Sequence, residues 1–192
     1  MIKLSIQEIL EELTAQELSY GQGSDGALID SKAEDVKFSV LPLQYDEDSG
    51  TIRFKISSIS RSGMQHNTLF QMVNMYDIKT EIKNLINEGK FMMENLSTFV
   101  SRAILGNIKL HCTCESYQYY RSYQLSQLDA AVYPETRPPK KTDPNLQRVH
   151  LCHHLLATIR YVLKDVSRMT DFIIANDNFL GNIKETNQNE EI

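Results

Sequence analysis

Three cysteines and four of the five histidines fall into two short clusters, His111-Cys112-Thr113-Cys114 and His150-Leu151-Cys152-His153-His154, and no cysteine lies elsewhere in the 192 residues. Thiolate sulfur and imidazole nitrogen are the donors that tetrahedral Zn²⁺ prefers, and two pairs of them close a structural site. Cys112 and Cys114 lie two positions apart, so on an extended segment both sulfurs fall on one side. Cys152 and His154 stand where an apolar helical stripe begins, and the positive end of a helix dipole favours thiolate over thiol. The predicted metal ligands are therefore Cys112, Cys114, Cys152 and His154, with Zn²⁺ as the cofactor. His111, His150 and His153 offer competing nitrogens, and His153 stays open as the alternative to His154.

These residue types point away from catalysis. A hydrolytic zinc site keeps an open coordination position, whereas four good ligands close it. Glu115 follows Cys114, but the His-x-Glu before Cys-x-x-Cys of the zinc deaminases is absent. Cys152 beside His153 has the composition of a nucleophile and base, yet sequence neighbours rarely reach that geometry. No catalytic residue, no nucleotide-type cofactor site and no small-molecule substrate are expected. The spaced glycines Gly21, Gly23 and Gly26 lack the Gly-Lys-Ser/Thr of a phosphate loop.

The elements that must position the ligands follow from periodicity. Val36, Phe38 and Val40 alternate, as do Ile52, Phe54 and Ile56, and Asp46-Glu47-Asp48-Ser49-Gly50 between them supplies turn chemistry for a β-hairpin. A further strand is expected over Thr68 to Met75, and Ile108, Leu110 and Cys112 alternate as a short strand that delivers the first ligand pair. Ser5 and Glu8 have capping-box spacing before Ile6, Ile9, Leu10 and Leu13, which predicts a helix to about Leu18. Asp77 is placed to cap a second helix carrying Ile78, Ile82, Leu85 and Ile86, with Gly89 as its stop. A tyrosine-rich helix is expected from Glu115 to about Ala131. Val149, Leu155, Leu156, Ile159, Val162, Leu163 and Val166 predict a long helix after the second cluster, and Asp171 to Leu180 a short one. Between these helices, four of the five prolines fall in the stretch from Tyr133 to Asn145, which reads as an extended loop.

The expected fold class is α+β: a β-rich N-terminal half with a hairpin, and a helix-rich C-terminal half clamped by a zinc site. The organisation predicted is an N-terminal helix and loop over 1–30, an α+β region over 31–106, a zinc-binding module over 107–180 and a flexible tail over 181–192. A net charge of −5 with pI about 5.5 lacks the basic excess that non-specific nucleic-acid binding requires. Arg137, Lys140, Lys141 and Arg148 remain the candidates for a local basic patch. No apolar run approaches the roughly 20 residues of a membrane span, and three cysteines, two of them one residue apart, fit a reducing compartment better than a disulfide scaffold. A soluble protein made in a cytosol is expected.

Cys112-x-Cys114, a variable insert, Cys152-x-His154 and the apolar Leu155-Leu156-Ala157 together resemble the SWIM zinc finger, although the insert is longer than in the ordinary pattern. The insert itself, with tyrosines after Cys114, then Tyr133-Pro134-Glu135-Thr136-Arg137-Pro138-Pro139 and Asp143-Pro144-Asn145, is similar to that of structural proteins of tailed bacteriophages of the crAss-like or T4-like kind. That resemblance covers roughly residues 50–168 and is most specific in the finger. It implies a non-enzymatic virion component in the neck, tail or connector region, made in the host cytoplasm. The partners it implies are other virion subunits, in a homo-oligomer or ring. A SWIM-type module of a cellular protein, binding nucleic acid or protein, is the alternative.

Overall fold

The computed structural model describes Ser5 and residues 38–58, 65–115, 117–139 and 151–190. The predicted helix following Ser5, the glycine loop, and Lys140, Lys141 and Arg148 lie outside the described residues. Ser5 itself forms a single antiparallel bridge with Asn107.

Four strands, β1 (Phe38–Asp46), β2 (Thr51–Ser58), β3 (Gln65–Met72) and β4 (Ile108–Cys112), form an antiparallel sheet in sequence order. The β1–β2 hairpin turns where the acidic run predicts it. Asp46 accepts from the Asp48 backbone N–H and the Ser49 hydroxyl, and Gly50 takes a left-handed φ of +64° with no Cβ to strain it. A Cβ there would lie 2.8 Å from the Met75 Cβ, so the turn and the next helix approach too closely for a side chain.

Alternation divides the sheet into two chemically distinct faces. Ile52, Phe54, Ile56, Phe70, Ile108 and Leu110 are fully buried on one face. Arg53, Lys55, Asn67, Gln71 and Lys109 stand on the other. β4's outer side is covered by the proline-rich loop: the Leu110 N–H donates to the Ala130 carbonyl and the Val132 N–H to the Leu110 carbonyl. At the opposite edge Pro42 withholds a ladder donor, and the register shifts between Pro42 and Gln44.

Six helices complete the described fold: α1 (Met75–Asn87), α2 (Leu96–Ile104), α3 (Ser122–Gln127), α4 (His153–Lys164), α5 (Val166–Asn176) and α6 (Asn178–Glu190). α4 lies across all four strands, with Leu155, Ile159 and Val162 buried and Tyr161 edge-on to Phe54 at 6.0 Å. Each such side chain removed from water contributes about 1.5–3 kcal/mol. α5 packs on β1 and α2, and the cluster of buried side chains runs from Tyr45 to Leu180, so the regions on either side of residue 107 share one core. The layout is α+β, strands in the N-terminal half and helices in the C-terminal half, as the sequence predicts.

Several boundaries differ from expectation. The third strand runs Gln65–Met72 and not to Met75, and the N-cap of α1 is Asn74, with Asp77 inside the first turn. Gly89 does stop α1: its φ is +66°, and the Gly89 and Lys90 amides donate back to Ile86 and Leu85. The tyrosine-rich helix begins with a π-turn (Tyr117–Arg121), continues as α3 and ends before Asp129, at a φ of +54°. The long helix after the second cluster breaks at Asp165, whose carboxylate accepts from the Arg168 N–H and starts α5. Residues of the predicted tail are helical as far as Glu190, in α6, which Asp177 caps through the Leu180 N–H. Gly181 sits inside that helix with Ile174's carbonyl 3.3 Å from where a Cβ would stand.

Candidate metal centre

Two elements deliver the ligands from residues far apart in sequence. Cys112 ends β4 on its core-facing side, and after Thr113 the chain bends so that Cys114 returns toward the same point. The Cys114 N–H approaches the Cys112 sulfur and the Tyr117 N–H the Cys114 sulfur, each at 3.4 Å. The bend is fastened to β3 by a reciprocal pair: Thr113 N–H to the Asn67 carbonyl and Asn67 N–H to the Thr113 hydroxyl, both 3.0 Å. Tyr117 lies beneath it, 1% exposed, and its hydroxyl donates to the Leu110 carbonyl at 3.0 Å. Opposite, Cys152 is the N-cap of α4, with extended φ and ψ of −73° and 157°, and His154 is in the first turn.

One ligand atom from each of Cys112, Cys114, Cys152 and His154 lies within 4.8 Å of all the others. A tetrahedral ion bonded to sulfur at about 2.3 Å needs sulfurs roughly 3.8 Å apart, so a modest contraction suffices. All three cysteines are free thiols and buried. This set can hold a metal ion, and its soft donors and enclosure fit a closed tetrahedral site. Neither Asp nor Glu belongs to the set.

The sulfurs already behave as one electron-rich group. Hydrogen bonds from Cys112 and Cys152 hold Cys114 far on the thiolate side, with His154 adding to the effect. The same contacts, from Cys114 first, together with burial keep the proton on Cys112. At Cys152 the lowering bond from Cys112 is outweighed by the bond to Cys114 and by burial, and its thiol is pushed up to about 12. A cation brought among the three buried sulfurs would meet them with little dielectric screening.

His154 is steadied by its neighbours. Its carbonyl accepts from the Thr158 hydroxyl at 2.9 Å, and that hydroxyl meets the Thr68 hydroxyl of β3 at 2.7 Å with both threonines fully buried. The His66 ring stands 4.3 Å from the His154 ring, centroid to centroid, and burial followed by His154 itself lowers the His66 pKa. Sequence reasoning singled out neither Thr68 nor His66, which sit on β3, remote from both clusters along the chain.

The competing histidines separate clearly. His111 alternates with Cys112 and turns to the other face of the sheet, wedged between Tyr117 at 5.1 Å and Tyr133 at 4.8 Å. His153 is not in the ligand set, and His150 lies outside the described residues. Of the basic candidates, Arg137 is engaged by both carboxylate oxygens of Glu135 at 3.0 Å. Among the tyrosines, Tyr117 serves the site, while Tyr119 is 66% exposed. Among the described residues no helix is long and apolar enough to cross a membrane. No protein family, no curated protein and no solved structure matches the chain.

Proposed function

We propose that Cys112, Cys114, Cys152 and His154 hold one structural Zn²⁺, and that the protein is a non-enzymatic, zinc-clamped structural component. The reading rests on one observation: three sulfurs and an imidazole, with no carboxylate among them, converge between the end of β4 and the start of α4. A bound Zn²⁺ supplies cross-linking there; finger peptides gain about 10–16 kcal/mol from it. The protein supplies the two strand-end thiols, the helix-start thiol and the imidazole, with the three thiols buried and His154 half-buried. The finger's resemblance to the SWIM pattern, and that of its proline-rich insert to tailed-phage proteins, extend the reading to a virion part that works in an oligomer or ring. A SWIM-type binding module is the second reading, favoured by the cavity over the polar face of the sheet.

Elemental analysis and light scattering on the purified chain test the first reading together. One zinc per 22.1 kDa chain in a particle of several chains is the expected result. A zinc-free, fully folded protein would sink the metal assignment, and a zinc-loaded strict monomer would remove the assembly role.

A further inference from the structure

The polar face of the sheet carries a site distinct from the metal centre. A cavity of about 530 Å³ lies over it, within the roughly 300–1,000 Å³ of small-ligand sites. Strand register defines its floor. Gln44, Arg53, Leu69 and His111 are cross-strand partners in one row, and Asn67 lines the next row beside Thr113; Lys55, the β2 partner of Asn67, stands on the same face just outside the lining. Val132 and Tyr133, from the loop that covers β4, form the wall. With strands about 4.8 Å apart and side chains repeating every two residues, the floor is about 15 Å wide.

The chemistry of that floor is selective. Arg53 in the lining and Lys55 beside it have no carboxylate partner among the described residues, whereas Lys109 is paired with Asp129 at 2.7 Å; the lining's own carboxylate, Asp46, is turned to the Ser49 hydroxyl and the Asp48 N–H. Two cations are therefore left for an anionic group. Gln44, Asn67 and Gln71 bring carboxamides, which both donate and accept hydrogen bonds. Tyr133 is 60% exposed at the rim, its ring held edge-on by His111, so it presents an aromatic surface on a fixed mount. A neutral sugar would leave the cations unmatched, and a bare anion would leave the carboxamides and the ring idle. A planar base joined to a phosphate uses all three. The net charge of −5 opposes a long polyanion, so the fit is to one or two nucleotide units and not to an extended track.

We propose that this face is a nucleotide-binding site: the phosphate is held by Arg53 and Lys55, the base stacks on Tyr133, and its edge is read by the carboxamides. The nucleotide can come from a free mononucleotide or from a short single strand, and the experiment separates the two. Full-length protein is titrated with fluorescently labelled hexathymidylate and hexauridylate and, by calorimetry, with the four nucleoside 5′-monophosphates; thymidine and inorganic phosphate serve as competitors. Arg53→Gln and Tyr133→Ala each change an exposed side chain, and circular dichroism verifies that both fold. Each is expected to weaken binding about five- to hundredfold, the range that loss of one stacked base spans, while Arg137→Gln leaves it unchanged. Binding of the oligonucleotides alone supports the single-strand source, and equal binding of the mononucleotides supports the free one. Absence of binding by every probe would overturn the site. So would affinity that neither variant alters, or full displacement by inorganic phosphate.

Discussion

At the scale of single residues, the ligand set shows what spacing does and does not convey. Cys112 and Cys114 are legible as a pair because side chains two apart on a strand share a side, and Cys152 as a helix-start thiol because the apolar stripe of α4 begins just after it. The choice of histidine is not legible, because His153 and His154 are adjacent and only the helix phase separates them. That phase brings His154 to the sulfurs. His154→Cys is therefore expected to keep stoichiometric metal, whereas His154→Ala loses it and His153→Ala does not. Cobalt substitution, read by the ligand-field and charge-transfer bands of a tetrahedral thiolate site, measures all three. Metal retained by His154→Ala and lost by His153→Ala would reassign the fourth ligand. The partners His66, Thr68 and Thr158 leave no trace in the sequence, since a buried hydroxyl or ring among β-forming residues reads as ordinary strand or helix.

At the scale of elements, alternation made the strands legible because one face of each is packed in the core and the other is not. The helices were harder. The stripe from Leu155 to Val166 looks continuous, yet Asp165 ends one helix and caps the next, and Asp177 does the same for α6. Aspartate followed three residues later by a backbone N–H it can cap was the available signal, masked by the absence of proline or glycine at either break. Gly181 lies inside α6, where the carbonyl of Ile174 comes within 3.3 Å of the position a Cβ would take. The same helix is fastened to the β1–β2 turn: Glu47 accepts from the Asn178 backbone N–H at 2.8 Å and from its carboxamide at 2.7 Å. Those two bonds lower the pKa of Glu47 below its usual 4.5. A lowered folded-state pKa means the contribution is complete above the ordinary carboxylate range and disappears as pH falls through the folded value. Glu47→Gln is thus expected to cost a little stability at pH 7 and less at pH 3, as measured by urea unfolding at both. An equal difference at the two pH values would show that the charge of Glu47 is immaterial.

At the scale of the whole molecule, the Cys/His cluster is one of several ties between distant chain segments among the described residues. Lys79 of α1 and Asp177, at the α5–α6 junction, form an ion pair of 2.6 Å with the Asp177 side chain fully buried, and Lys79 also donates to the Glu47 carbonyl at 3.0 Å. The Tyr45 phenol is buried against the same carboxylate, and burial followed by Asp177's charge raises its pKa. Removing one member of a buried pair strands the other, at about 3–5 kcal/mol. Asp177→Ala should therefore lower unfolding free energy by about 3 kcal/mol, a large share of the roughly 5–15 kcal/mol of a typical domain. Guanidinium melts of the metal-loaded protein measure it, and a loss under about 1 kcal/mol would mean that the carboxylate does not anchor the helices. Nothing in the sequence links position 79 to 177, because the pairing depends on how three helices meet.

One run of four residues belongs to both sites. His111 and Thr113 line the cavity, and Cys112 and Cys114, interleaved with them, turn to the sulfur cluster. Two chemistries therefore share a partition one backbone thick. Any shift of that backbone that suits an occupant on one side is imposed on the other, and linkage makes the influence mutual and equal in size. Chelation should thus be audible across the sheet, as a changed affinity on the face that the metal never touches.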